Sequence, residues 1–156
     1  MLSDLSENPI VDNDVFLNEL IKEAKAGLSE GGIPIGAILV LNNKIIGRGH
    51  NRRLQDNDPL AHAEIVCLRN AGRHIDYGQT MLYSTLMPCY LCAGAIVQFG
   101  IKRIVVGESE NFQGAREFLK SHGVKITDLK SPKCITIMSD FIKKNSKLWD
   151  EDIGKK

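Results

Sequence analysis

The sequence predicts a three-layer α/β/α fold built on a mixed five-stranded sheet. Segments of helical and strand-like character follow one another in the order α-β-β-α-β-α-β-α-β-α, which implies a sheet flanked by helices. The first two strands are joined only by Asn42-Asn43, the mark of an antiparallel hairpin, whereas helices separate the later strands. Glycines stand just past several of the helices: Gly31-Gly32, Gly72 and Gly100.

The elements read as follows. Residues 1–12 are polar and irregular and are expected to be loose. Leu17, Leu20, Ile21, Ala24 and Leu28 recur at helical spacing, and Gly31-Gly32 with Pro34 ends that helix. Ile35–Leu41 and Lys44–Gly49 form the hairpin. Ala61–Ala71 reads as a short helix stopped by Gly72 in a left-handed conformation, which puts His62 on its first turn. Thr80–Leu86 is a third strand, and Pro88–Phe99 is a helix closed by Gly100 and opened by Cys89. Lys102–Gly107 is a fourth strand, Gly114–His122 a helix, and Val124–Asp128 a short fifth strand. Pro132–Lys144 is a final helix with Ile135, Ile137, Met138, Phe141 and Ile142 available for burial. No repeat, low-complexity tract or linker interrupts the chain, so residues 1–156 are expected to form one domain.

A chain of 156 residues can bury a full core without disulfides. Its 43% hydrophobic and 25% charged residues are those of a soluble protein, and a net charge of +1 gives no sign of a polyanionic partner; a dedicated nucleic-acid binder would carry a basic excess. There is no basic stretch leading into an apolar h-region, and no apolar run approaches the ~18–20 residues of a membrane span, so a cytoplasmic location away from membranes is expected. Four cysteines in that compartment read as reduced thiols or metal ligands.

Two short motifs carry the chemistry: His62-Ala63-Glu64 and Pro88-Cys89-Tyr90-Leu91-Cys92. One imidazole and two thiolates supply three corners of a zinc tetrahedron and leave the fourth for water. Cysteines three apart at a helix start lie on one turn, where the positive end of the helix dipole favours the thiolates that zinc requires. Glu64 is close to the metal without being a ligand, as a group must be to take a proton from water and hand it on. Competing readings exist. A lone Cys-x-x-Cys also occurs in structural zinc sites and redox motifs, but a structural site normally recruits four protein ligands, and a redox pair needs no histidine partner. Cys67 and Cys134 lie in apolar surroundings and read as core, with Cys67 a candidate fourth ligand.

His-x-Glu followed by Pro-Cys-x-x-Cys resembles the signature of the zinc-dependent cytidine/deoxycytidylate deaminase superfamily of nucleobase and nucleoside deaminases. The resemblance extends over Gly31–Ala37, Gly47–Asn51, and Val106–Glu108 through Asn111-Phe112. The tail Trp149–Gly154 is most similar to that of the fungal-type cytosine deaminases. The resemblance implies one Zn2+ per chain on His62, Cys89 and Cys92, with Glu64 as the proton carrier. It further implies that Asn51 and the backbone N–H of Ala63 hydrogen-bond the polar edge of the base, that Met87 directs its carbonyl toward the leaving amine, and that Asp152 reaches the substrate's edge. Phe112 and Trp149 would form apolar walls. Read from the residues alone, Asn51 is as well a turn residue, Phe112 and Trp149 core aromatics, and Asp152 a solvated charge.

Trp149 and Ile153 bracket three acids, a pattern that fits a segment, residues 145–156, closing over the pocket as a lid. Met87, Ala63, Tyr90 and Asp150 depart from the fungal pattern of serine, glycine, aspartate and an aromatic, and put the identity of the base in question more than the reaction. The expected function is deamination of a small free nucleobase, cytosine first, with isocytosine or a related aminated heterocycle next, by a homodimer without nucleic-acid partners. The alternatives are a tRNA adenosine deaminase, for which Arg52, Arg53, Arg69 and Arg73 would form a basic rim, and a non-catalytic zinc-stabilised interaction domain.

Overall fold

The computed structural model describes residues 4–155, with side chains from residue 15 onward. Helix α1 (Asp4–Ser29) precedes β1 (Gly36–Leu41) and β2 (Lys44–His50). Residues 4–12, expected to be irregular, are therefore helical; residues 1–3 of that segment lie outside the described residues. Once the packed part of α1 provides a nucleus, each further residue adds one backbone hydrogen bond, and polarity alone does not stop the helix.

After β2 come α2 (Arg53–Asp56), α3 (Ala63–Ala71), a 3-10 turn over Tyr77–Gln79, β3 (Met81–Leu86), α4 (Tyr90–Gln98) and β4 (Arg103–Glu108). The chain continues through α5 (Arg116–Ser121), β5 (Lys125–Asp128), α6 (Pro132–Lys144) and α7 (Ser146–Asp152). The sheet has the order β2-β1-β3-β4-β5. β1 pairs antiparallel with β2 and β3, and β4 pairs parallel with β3 and β5, so the sheet is mixed as expected. Asn42 and Asn43 both have positive φ, 51° and 62°, the geometry of a two-residue hairpin turn.

Alternation along the strands sorts the core. Ile38, Val40, Tyr83 and Val105 pack with Phe16 and Leu20 of α1. Ala37, Leu39, Leu82, Ile104 and Val106 belong to the larger cluster, with Ala63 and Cys67 of α3 and Ala93 and Ile96 of α4. Ser131 caps α6 by accepting a hydrogen bond from the Cys134 N–H at 3.3 Å, with Pro132 at the first turn, which fixes the boundary predicted from sequence.

Two helices depart from expectation in a way that matters to the site. His62 and Cys89 do not lie within first turns; they are the N-cap residues of α3 and α4, with extended backbones (φ −67°, ψ 154° and φ −77°, ψ 179°), and neither side chain makes a capping bond. Hydrophobic period locates a helix but not its first residue. Gly72 ends α3 at φ 95° and ψ −175°, a glycine conformation outside the left-handed helical well that was expected.

α3 lies directly on β2 because the residues beneath it have no side chains. A Cβ on Gly49 would stand 2.7 Å from Val66 Cγ1 and 2.8 Å from the Cys67 backbone nitrogen, and one on Gly47 2.7 Å from Ala71 Cβ. Gly49→Ala must lift α3 from the sheet, and we expect it to lower the free energy of unfolding by about 1–3 kcal/mol in urea titrations. An unchanged midpoint would contradict this close approach.

Candidate active site

α3 and α4 pack on the same side of the core, and their N-termini meet. His62 Nδ1 and Cys89 Sγ approach to 3.5 Å. Together with Cys92 Sγ they form a group of donor atoms all within 4.8 Å of one another. Two ligands at ~2.0–2.1 Å (N) and ~2.3 Å (S) from one tetrahedral zinc lie about 3.5 Å apart, so the His62–Cys89 pair is spaced as zinc needs it, with Cys92 within 4.8 Å of both. Their chemistry fits as well. Among the described residues the group contains three protein donors, not the four of a closed structural site. Cys67, the candidate fourth ligand, is instead fully buried in α3 against β2, where burial pushes its thiol up.

The hydrogen bond from Cys92 draws the Cys89 thiol down to about 4 against the effect of burial, and the bond with His62 adds to the shift. Cys92 moves the other way, first through that same bond and then through burial, because the two sulfurs share one proton. A dication between them favours both thiolates. Glu64, on the first turn of α3, is 5% exposed and outside the ligand group. Burial pushes its carboxyl up to about 7, the neighbouring Cys89 charge adds, and His62 opposes. A carboxyl held there exchanges protons near neutral pH.

A narrow cavity opens onto His62, Cys89 and Glu64 and is lined also by Asn51, Met87, Phe112, Trp149, Asp152, Ile35 and Ile153. Every side chain that the sequence singled out around the substrate, other than Ala63, is on this wall; Ala63 is fully buried between His62 and Glu64. Phe112 and Trp149 meet edge to face, with ring centroids 5.5 Å apart and planes at 86°. Asn51 reconciles its two readings: its Oδ1 accepts from the Arg53 N–H at 3.0 Å as a turn residue does, and its Nδ2 donates to Asp152 Oδ1 at 3.2 Å. Of the four departures from the fungal pattern, Met87 lines the cavity, while Tyr90 and Asp150 do not; Tyr90 is 69% exposed and packs against Phe118.

Sequence reading missed the role of Arg53, which it considered only for the basic rim of the tRNA alternative. Its guanidinium is nearly buried and pairs with Asp152 at 3.4 Å and Glu151 at 3.2 Å, and its Nε donates to the Pro59 carbonyl at 3.2 Å. Arg53 thus ties α7 to the segment after β2. Burial pushes the Asp152 carboxyl up, while His62, the Asn51 amide and Arg53 pull it back. The only sequence signal was proximity to Asn51, since nothing in the local spacing points to a partner at the far end of the chain.

The family description "cytidine and deoxycytidylate deaminase zinc-binding region" matches residues 11–108. The chain is 40% identical over 146 residues to the cytosine deaminase of Candida albicans, covering 92% of this chain and 97% of that protein. It is 42% identical over 134 residues to a tRNA-specific adenosine deaminase of Buchnera aphidicola from Schizaphis graminum, covering 79% and 89%. The solved structure of guanine deaminase from Bacillus subtilis superposes with a TM-score of 0.56 at 34% identity, over 60% of this chain and 62% of that one.

Cys92→Ala removes one of three donors and is expected to abolish stoichiometric zinc in atomic emission analysis, whereas Cys67→Ala and Cys134→Ala should retain it. Arg53→Ala leaves Asp152 buried without its cation and should cost about 3 kcal/mol of stability in thermal unfolding. The triad of donors, the glutamate beside it and the match across residues 11–108 converge on one conclusion: the chain belongs to the cytidine and deoxycytidylate deaminase zinc-binding family and is a zinc-dependent, hydrolytic deaminase.

Proposed function

We propose that this enzyme deaminates a free nucleobase, cytosine to uracil with release of ammonia, and that isocytosine or a related aminated heterocycle is the next best substrate. The observation that carries this reading is that the tail forms part of the cavity wall. Trp149, Asp152 and Ile153 line the same narrow cavity as His62, Cys89 and Glu64, so the tail would act as a lid, and a base still attached to a polymer would have to displace it. Similarity to the Candida albicans cytosine deaminase over nearly the whole chain supports the same substrate.

His62, Cys89 and Cys92 would hold zinc, which acts as a Lewis acid and makes water nucleophilic near neutral pH. The base would lie against the wall that Phe112 and Trp149 form together, with its polar edge against the Asn51 amide, the Ala63 N–H and the Asp152 carboxylate, and the Met87 carbonyl directed at the exocyclic amine. Glu64 takes a proton from the attacking water and passes it to the ring nitrogen beside the attacked carbon. It then moves the second proton to the amine, the carbon–nitrogen bond breaks, and ammonia leaves while the carbonyl of uracil forms. Water adds and ammonia departs, so atoms and charge balance.

Adenosine deamination in tRNA is the second reading, favoured by the Buchnera aphidicola relative. Its basic rim is weakened by the structure, because Arg52 pairs with Glu30 and Asp56 and Arg53 pairs with Glu151 and Asp152. No helix among the described residues is long and apolar enough to cross a membrane. We place the enzyme in the cytoplasm, where its four free cysteines stay reduced, as a single domain acting in pyrimidine salvage. We further propose a homodimer. α4 exposes Tyr90 and Leu91, and Phe99, just past its end, borders a cleft of about 430 Å³ lined also by Ile65, Leu68, Tyr77, Arg69 and Arg73.

Ammonia release from free cytosine, isocytosine, guanine and unmodified tRNA should be fastest with cytosine; turnover confined to tRNA would overturn the proposal. Glu64→Ala should keep zinc while losing about 10²- to 10⁴-fold in kcat. A light-scattering mass equal to one chain would remove the dimer.

A further inference from the structure

The structure assigns to Glu108 the role of a positioning residue that holds the Phe112 wall of the base-binding cavity. Glu108 ends β4, is completely buried, and points its carboxylate into the loop that follows. Oε2 accepts the backbone N–H groups of Glu110 at 2.8 Å and Asn111 at 3.0 Å, and Oε1 accepts Asn111 Nδ2 at 2.9 Å. The same Asn111 amide donates to the Ile135 carbonyl of α6 at 3.0 Å. Phe112 is the next residue. The backbone of Glu108 also serves the site, since its carbonyl accepts the Met87 N–H at 3.1 Å, and the far end of the loop is tied back where the Ala115 N–H donates to the Pro88 carbonyl at 2.9 Å. One buried carboxylate therefore fixes the segment from which Phe112 reaches Trp149.

The arrangement calls for an acceptor at both oxygen positions, because all three groups facing them are donors. In Glu108→Gln the new NH2 must oppose an N–H, whichever way the amide is turned. Were it to face Asn111, the Asn111 amide would have to flip, and its oxygen would then oppose the Ile135 carbonyl. A near-isosteric change should therefore release the loop and, through it, Phe112. The assignment rests on Phe112 walling the cavity in which the proposed deamination occurs, but the loop can be tested without any substrate.

Trp149 is the only tryptophan in the chain, so its fluorescence reports the Phe112 contact directly. In the zinc-loaded protein, Glu108→Gln should raise acrylamide quenching of Trp149 to the level seen in Phe112→Leu, with far-UV circular dichroism and zinc content unchanged. For the base that the wild type turns over, KM should rise about 5- to 10-fold in both variants while kcat changes less. The double variant should be no worse than Phe112→Leu alone, because Glu108 acts through that ring. If Glu108→Gln does not fold, Asn111→Ala, which keeps both backbone bonds, decides by the same readouts with smaller shifts in the same direction. Wild-type quenching and KM in the folded variants, or effects that add to those of Phe112→Leu, would overturn the assignment. Absence of cytosine turnover by the wild type would overturn the substrate proposal instead and leave the quenching comparison intact.

Discussion

Cys89 Sγ and His62 Nδ1 stand 3.5 Å apart although 27 residues separate them in the chain, and the rest of the structure is arranged around that approach. It requires two helix N-termini at one place. α4 arrives there from β3 through the Met87-Pro88 step, and α3 arrives because Gly47 and Gly49 let it lie on β2 without intervening side chains. Both ligands occupy N-cap positions, where the backbone is still extended and a polar side chain would ordinarily bind the helix's free N–H groups. Leaving those N–H groups uncapped keeps the side chains free to face each other and directs the positive ends of two helix dipoles toward the thiolates.

The same convergence sets the environment of Glu64. It is on the first turn of α3, lines the same cavity as His62 and Cys89, and is too buried to be an ordinary surface carboxylate. Burial and the Cys89 charge work in one direction, and the His62 imidazole works in the other. Around this centre the cavity is closed by parts drawn from distant regions. Asn51 and Arg53 come from the end of β2, Phe112 from the loop after β4, and Trp149 and Asp152 from α7. Arg53 holds the tail by charge and Glu108 holds the loop by hydrogen bonds, so these two parts of the cavity wall are fastened by different interactions.

Much of this was legible in the chain itself. The strands were readable because their alternation meets a sheet with a helix-covered core on each face, and the hairpin because Asn42-Asn43 suits positive φ. Residues 145–156 were read as a closing segment, and the helix α7 within them was not, since seven residues are too few to establish a period. α1 was under-read at its start, where polarity obscured a helix that propagates from its packed half. Arg53 was weighed only as part of a basic rim in the tRNA alternative, because the pair Arg52-Arg53 gives no local sign of a partner about a hundred residues away.

By itself the sequence determined the fold class, the group of three metal donors and the family, because each depends on residue type and short spacing, which a chain carries wherever it folds. Tertiary structure decided what those spacings could not. It showed that His62 and Cys89 are N-caps, that Cys67 faces the sheet and is not a ligand, and that Tyr90 and Asp150 stand away from the cavity that Met87 lines. It also made Arg53, considered only for the rim of the tRNA alternative, an ion-pair partner of the tail. The physical reason is that ligand type is a property of a side chain, whereas burial, ion pairing and orientation are properties of what the rest of the chain brings against it.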